Sequence, residues 1–232
     1  MIQIYKRRLK SAIRPRKRLS YVVNYFDHVT RPVADDVFIF VHIPKCGGTS
    51  LSEVIRKNYN PWRTLDSGAG RRRPDGGAVT FQSGGSQYIE HACRVLEKRH
   101  ASLECVLGHM PYGAARYFSR RTMNISFVRD PLKRIWSAFN YEFVFWGNQS
   151  SAAREYSSDI DKMLNDNYMP YCNDQSRMLL GTDEPGLGKN DLQRVIDHIE
   201  ENYFFVDVLE RLGQGIELVG SALDWRHTEL VS

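Results

Sequence analysis

Long apolar stretches are missing from this 232-residue sequence. Its most apolar segment, residues 37–43, falls far short of the roughly 18 residues a helical membrane span needs. The amino-terminal residues are basic, but no apolar segment follows them, so no secretory signal is recognised. Cysteine is scarce: the four (Cys46, Cys93, Cys105 and Cys172) show no CxxC pair and no metal-like spacing. That argues against a disulfide scaffold or a metal site, and makes reduced thiols in a cytoplasm the expectation. Acidic residues are absent from residues 1–18, which hold eight Lys or Arg. The net charge is +5, so the rest of the chain carries about −3 and the high pI belongs to the tail. Residues 1–36 therefore read as a solvated basic arm that could touch acidic lipid weakly. No nucleic-acid partner is expected. The remainder, 37–232, suits one domain able to bury a sizeable core.

What the sequence does contain is concentrated in "VFIFVHIPKCGGTSLSEVIRKNY", residues 37–59. Residues 37–43 are rich in Val, Ile and Phe without polar alternation, the pattern of a strand buried on both faces. From Thr49 to Asn58 the apolar residues Leu51, Val54 and Ile55 recur on one helical face. Strand, tight turn and helix are the front of a βα unit and predict an α/β fold with a central, mainly parallel sheet. Further strands are expected at "ECVLGHM", "MNISFVRD" and "YFFVDVLERL". Helices are expected near 88–99, 114–119, 159–164, 173–180, 191–202 and 213–225. Pro131, at the favoured first helical position, opens a long helix through "LKRIWSAFNYEFVFW". Between them, residues 64–87 are rich in Gly and Arg and read as one long loop, with a short strand conceivable at 78–82. Its triple arginine, Arg71–Arg73, is a weaker candidate for an anionic acceptor.

A turn between a buried strand and a helix aims backbone N–H groups and the positive end of the helix dipole at one spot. Gly47 and Gly48 would let an anion come close, and Thr49 and Ser50 could add hydroxyls or cap the helix. A plain helix cap explains the same residues less fully. The usual nucleotide loop places its lysine after the glycines and follows it with Ser or Thr, whereas Lys45 precedes them. Mg²⁺-assisted triphosphate chemistry is therefore disfavoured. A lysine set ahead of the turn suits a smaller anion whose leaving group it reaches directly.

"HIPKCGGTSL" resembles the 5′-phosphosulfate loop of sulfotransferases that use 3′-phosphoadenosine-5′-phosphosulfate (PAPS). It is most similar to the carbohydrate branch, which includes heparan sulfate 2-O-sulfotransferase-like and bacterial enzymes. Cys46 stands where that branch usually has threonine. "FVRDPLKRIWSAFNY" resembles the family's 3′-phosphate segment, with Arg129 leaving a strand and Ser137 eight residues on. "YCNDQSRMLLG" and "FFVDVLERL" resemble two further family elements, and the likeness runs over residues 37–212. It implies a P-loop-like three-layer α/β/α fold, PAPS as co-substrate, 3′-phosphoadenosine 5′-phosphate (PAP) as product and no metal. It also implies an acceptor hydroxyl, of a saccharide or glycolipid. Family members generally continue beyond the position of Ser232, through a segment that covers the adenine.

The chemistry needs a base near neutral pKa to take the acceptor's proton, which favours one of the seven histidines. His109 ends the second predicted strand, at the sheet edge where the first delivers Lys45, and the resemblance points to the same Gly-His. His42 is the rival, expected behind the turn as a structural residue. His91, His100, His198 and His227 read as surface, and His28 lies in the arm. The expected donor-site residues are thus Lys45, Cys46, Gly47, Gly48, Thr49, Ser50, Arg129 and Ser137, with His109 and Lys45 catalytic. A nucleotide-dependent kinase and a non-catalytic donor-binding scaffold are the alternatives.

Overall fold

The computed structural model describes residues 35–66, 95–145, 159–166, 172–182, 184 and 186–230. Strand β1 (Val37–Val41) is buried at all five residues, as its unbroken apolar run requires. Val37, Ile39 and Val41 join one core cluster and Phe38 and Phe40 the other, so the strand's two-residue period divides its side chains between two apolar layers. Around it lie β2 (Thr64–Asp66), β3 (Cys105–Gly108), β4 (Thr122–Val128) and β5 (Phe205–Val208), all parallel, in the order β2-β3-β1-β4-β5.

Helices cover both faces. On the Phe38 side, α1 (Gly48–Asn58) buries Leu51, Val54 and Ile55, each worth roughly 2 kcal/mol removed from water. Later elements take the labels α2 (Pro131–Phe139), α3 (Ile160–Asn165), α4 (Asp174–Leu180), α5 (Asp191–Asn202) and α6 (Leu212–Ala222). Helix α6 shares the α1 side through Ile216 and Val219. The opposite face is packed by Leu96, by Leu179 of α4 and by Val195 and Ile199 of α5. The three-layer α/β/α arrangement is as the sequence implies.

Several boundaries differ from expectation. Thr64–Asp66, expected as the start of a loop, is an edge strand in register with β3 (Leu65 beside Val106). Three residues are too few to show a periodicity. The helix opened by Pro131 is α-helical only to Phe139 and continues as a π-helix over Asn140–Phe145. Helix α6 stops at Ala222, because the chain turns at Asp224 (φ 53) and doubles back. Asn58 accepts from the N–H groups of Arg226 (2.9 Å) and His227 (3.1 Å), and Trp225 packs on Phe38 and Tyr59. The arm's residues 1–34, Arg71–Arg73, the conceivable strand at 78–82, His28 and His91 lie outside the described residues.

The order of strands positions the site. Chain leaving β1 crosses to the β2 side, while chain leaving β4 runs to β5 on the other side. The carboxyl ends of β1 and β4 therefore flank the crevice where open parallel sheets bind ligands.

Candidate functional site

The turn after β1 is held in a conformation its sequence does not advertise. Lys45 has φ 67, a left-handed value that ordinary side chains adopt at a cost of about 1–3 kcal/mol. Gly47 follows with φ 76 and caps α1 without a side-chain hydrogen bond to the helix. The first N–H groups of α1 have no acceptor within the helix, so the turn presents donors and the dipole's positive end together. Cys46 N–H closes the turn on Ile43 O (3.2 Å). Thr49 is exposed and Ser50 half-buried.

Gly48 has a duty the sequence did not suggest. A Cβ there would fall 1.8 Å from Nε2 of His42. The missing side chain makes room for an imidazole beneath the turn. His42 is buried, stacked on Phe40 (centroids 5.3 Å apart) and on His109 (4.0 Å). Burial, then the neighbouring His109, Arg56 and Lys45, pushes its pKa well below the usual histidine value.

His109 follows Gly108 at the end of β3, and its Nδ1 lies 3.1 Å from His42 O. A backbone carbonyl can only accept, so Nδ1 carries the proton and Nε2 keeps its lone pair. Burial lowers the His109 pKa, against the opposing pull of that bond and of Asp174, so the ring is neutral at pH 7. The geometry prepares a proton acceptor.

Arg129 leaves the end of β4 and donates from Nη1 to Lys45 O (3.3 Å), which brings the two sequence motifs into contact. Its Nε is buried and has no hydrogen-bond partner among the described residues, an orphaned cationic donor of the kind an anion satisfies. On α2 and its π-helical continuation, Arg134, Ser137, Ala138 and Tyr141 fall on one stripe by their spacing of three and four. Tyr141 receives Lys45 Nζ 4.1 Å from its ring centre, so Ser137 stands one turn from the residue beneath the lysine.

Cys46 turns inward. Its thiol is 1% exposed, donates to Gln175 Oε1 (3.4 Å), and is pushed up to about 12 by burial. It is a filler of the core and no nucleophile at neutral pH. Gln175 also receives the Arg129 N–H (2.7 Å) and donates to Arg129 O (2.9 Å). Beside it, Asp174 pairs with the buried Arg134 of α2. The sequence reading quoted the "NDQSR" stretch but gave Gln175, Asp174 and Arg134 no part in the site. Tyr141 was likewise missed. His198 packs against Tyr112 (4.4 Å), on a helix away from these groups. Among the described residues, no cluster of three or more His, Cys, Asp or Glu is arranged to hold a metal, and no helix is long and apolar enough to cross a membrane.

A mouse sulfotransferase, SULT7A1, solved in complex with PAP, is similar at 14% identity with a TM-score of 0.43. The similarity covers 87% of this chain, which spans 62% of the length of the mouse one. No curated protein sequence matches significantly. The family profile described as "Sulfotransferase family" matches residues 32–202, a span that holds both the Lys45 turn and the Arg129–Ser137 segment. The chain belongs to the sulfotransferase family.

Proposed function

We propose that this protein transfers a sulfuryl group from PAPS to an acceptor hydroxyl, with His109 as the base. The observation that carries the reading is convergence: Lys45, His109 and Arg129 arrive at one sheet edge from three adjacent parallel strands. The residues present fit such a donor, because the turn offers backbone N–H groups and the orphaned Nε of Arg129 needs an anionic partner. When bound, the donor supplies an activated sulfuryl group on a phosphate leaving group. In this reading Lys45 and the N–H groups of Gly47 to Ser50 face the phosphosulfate, and Arg129 with Ser137 holds the 3′-phosphate. Cys46 contributes through the backbone of the turn.

His109 takes the acceptor's proton at Nε2 while Nδ1 stays anchored on His42 O, so the ring keeps its orientation as it becomes charged. Lys45 and the helix terminus meet negative charge growing toward the leaving phosphate, where fixed donors need no reorganisation. Arg129 sets the register of the donor. The acceptor we assign is a saccharide or glycolipid hydroxyl, from the likeness of the two motifs to the carbohydrate branch. We place the reaction in the cytoplasm, in keeping with the buried, protonated thiols of Cys46 and Cys105.

PAP should raise the melting temperature well above the effect of AMP, which lacks the 3′-phosphate. Equal stabilisation by the two would remove Arg129 and Ser137 from the role given them. His109→Ala should leave PAP affinity unchanged and lower transfer to a sugar acceptor by about 10²–10⁴. Lys45→Ala should weaken both, since its charge acts in ground and transition states. Full transfer by His109→Ala would discard this base.

A further inference from the structure

Gln175 binds no ligand in the reading above, yet it touches both halves of the donor site. We propose that Gln175 is the positioning residue that sets the distance between the phosphosulfate turn and the 3′-phosphate arginine, and so the preference for a 3′-phosphorylated nucleotide. The inference rests on the donor-site reading of Arg129.

The ladder of β4 against β5 ends at Val128 beside Val208, and against β1 it ends at Ser126 beside Val41. Arg129 lies past both, and its N–H and C=O need partners of their own. A carboxamide offers one acceptor and two donors at the right separation to serve both groups of a single residue. Gln175 does so: Oε1 accepts from Arg129 N–H at 2.7 Å and Nε2 donates to Arg129 O at 2.9 Å. The pair of bonds holds the main chain of Arg129, and with it the direction in which the guanidinium departs. It also fixes which way the amide faces.

The same Oε1 receives the thiol of Cys46 at 3.4 Å, from the turn that carries Lys45. One side-chain oxygen therefore joins segments 129 and 46 residues away from it along the chain. The preceding residue, Asp174, pairs with Arg134 and fixes α2, the helix that bears Ser137. The start of α4 thus grips the turn, the strand end and the helix that must share one ligand. An apolar replacement would leave the Arg129 amide and carbonyl without their partner, and the main chain would shift to find others. A displacement of this kind alters the fit of a ligand held at two ends more than that of one held at a single end.

The test compares PAP and AMP affinities by calorimetry for the whole chain and two variants. Gln175→Met keeps length and removes both polar groups. Gln175→Glu keeps the acceptor, loses the donor to Arg129 O, and adds negative charge beside the arginine. We expect the ratio of AMP to PAP dissociation constants to fall about tenfold in the first, a 1.4 kcal/mol loss confined to the 3′-phosphate, and further in the second. Arg121→Ala, which breaks the pair with Asp36 at the far end of β4, should lower the melting temperature and leave the ratio alone. If both Gln175 variants melt earlier but keep the wild-type ratio, Gln175 is only structural and the proposal is overturned. Should Gln175→Met not fold, the ratio of Gln175→Glu decides. A wild-type protein that binds PAP no better than AMP would instead overturn the donor-site reading itself.

Discussion

Substituting Gly48 by alanine probes the packing beneath the turn without touching any charge. Gly48 has helical backbone, so alanine is acceptable there on conformational grounds and would gain up to about 1 kcal/mol of helix propensity. The space forbids it. The new Cβ would lie 1.8 Å from Nε2 and 1.9 Å from Cδ2 of His42. Ordinary contact is about 3.5 Å, so the ring must retreat by about 1.7 Å. It is confined by Phe40 on one side and His109 on the other. Overpacking of this kind costs about 1–3 kcal/mol, and the full propensity gain would leave a net loss of up to about 2 kcal/mol. The displaced ring would also push on His109, so transfer should fall while the donor-facing charges stay in place. Urea denaturation of Gly48→Ala, His42→Ala and the double variant would measure the coupling. With the imidazole removed, the alanine should cost nothing or stabilise slightly, giving a favourable coupling equal to the overpacking term, about 1–3 kcal/mol. Additivity within about 0.5 kcal/mol would refute the reasoning.

Other consequences are equally open to measurement. Because burial lowers the pKa of His109, the acid limb of kcat/KM should lie below the ordinary histidine value of 6.5; a limb above it would contradict a buried neutral base. His42 and His109 both bind protons less readily folded than unfolded. Their contribution to stability should therefore be complete above about pH 6.5 and be lost as pH falls below it, and denaturation midpoints at pH 7.5 and 5.5 would show this slope diminished in His42→Ala. Cys46, raised to about 12 and enclosed, should resist iodoacetamide in the native protein at pH 8 and react only after unfolding. Asp174→Ala would remove the carboxylate paired with the buried guanidinium of Arg134 and should lower stability by about 3 kcal/mol, read by urea denaturation.

The sequence by itself determined the parts of this protein that are local. The unbroken apolar run of β1, the turn with Lys45 ahead of two glycines, the stripe of Leu51, Val54 and Ile55, and the Arg-Asp-Pro step into α2 each lie within a few residues. Backbone preference and side-chain period are expressed at that range, so the α/β class and the two segments proposed to hold the donor were legible there. The tertiary structure decided what depends on partners distant in the chain. Thr64–Asp66 is a strand because β3 offers it a ladder, not because its three residues ask for one. The tautomer of His109 is set by a carbonyl 67 residues away, and Arg129 meets the Lys45 carbonyl across 84. Gly48 is glycine partly because His42 folds beneath it, a clash that no count of residues along the chain could reveal. Gln175 is the clearest case, since an amide has no sequence signature for bonding the main chain of an arginine 46 residues earlier. Its role exists only once packing of two helices against the sheet brings those backbone groups out of water and leaves them needing a partner.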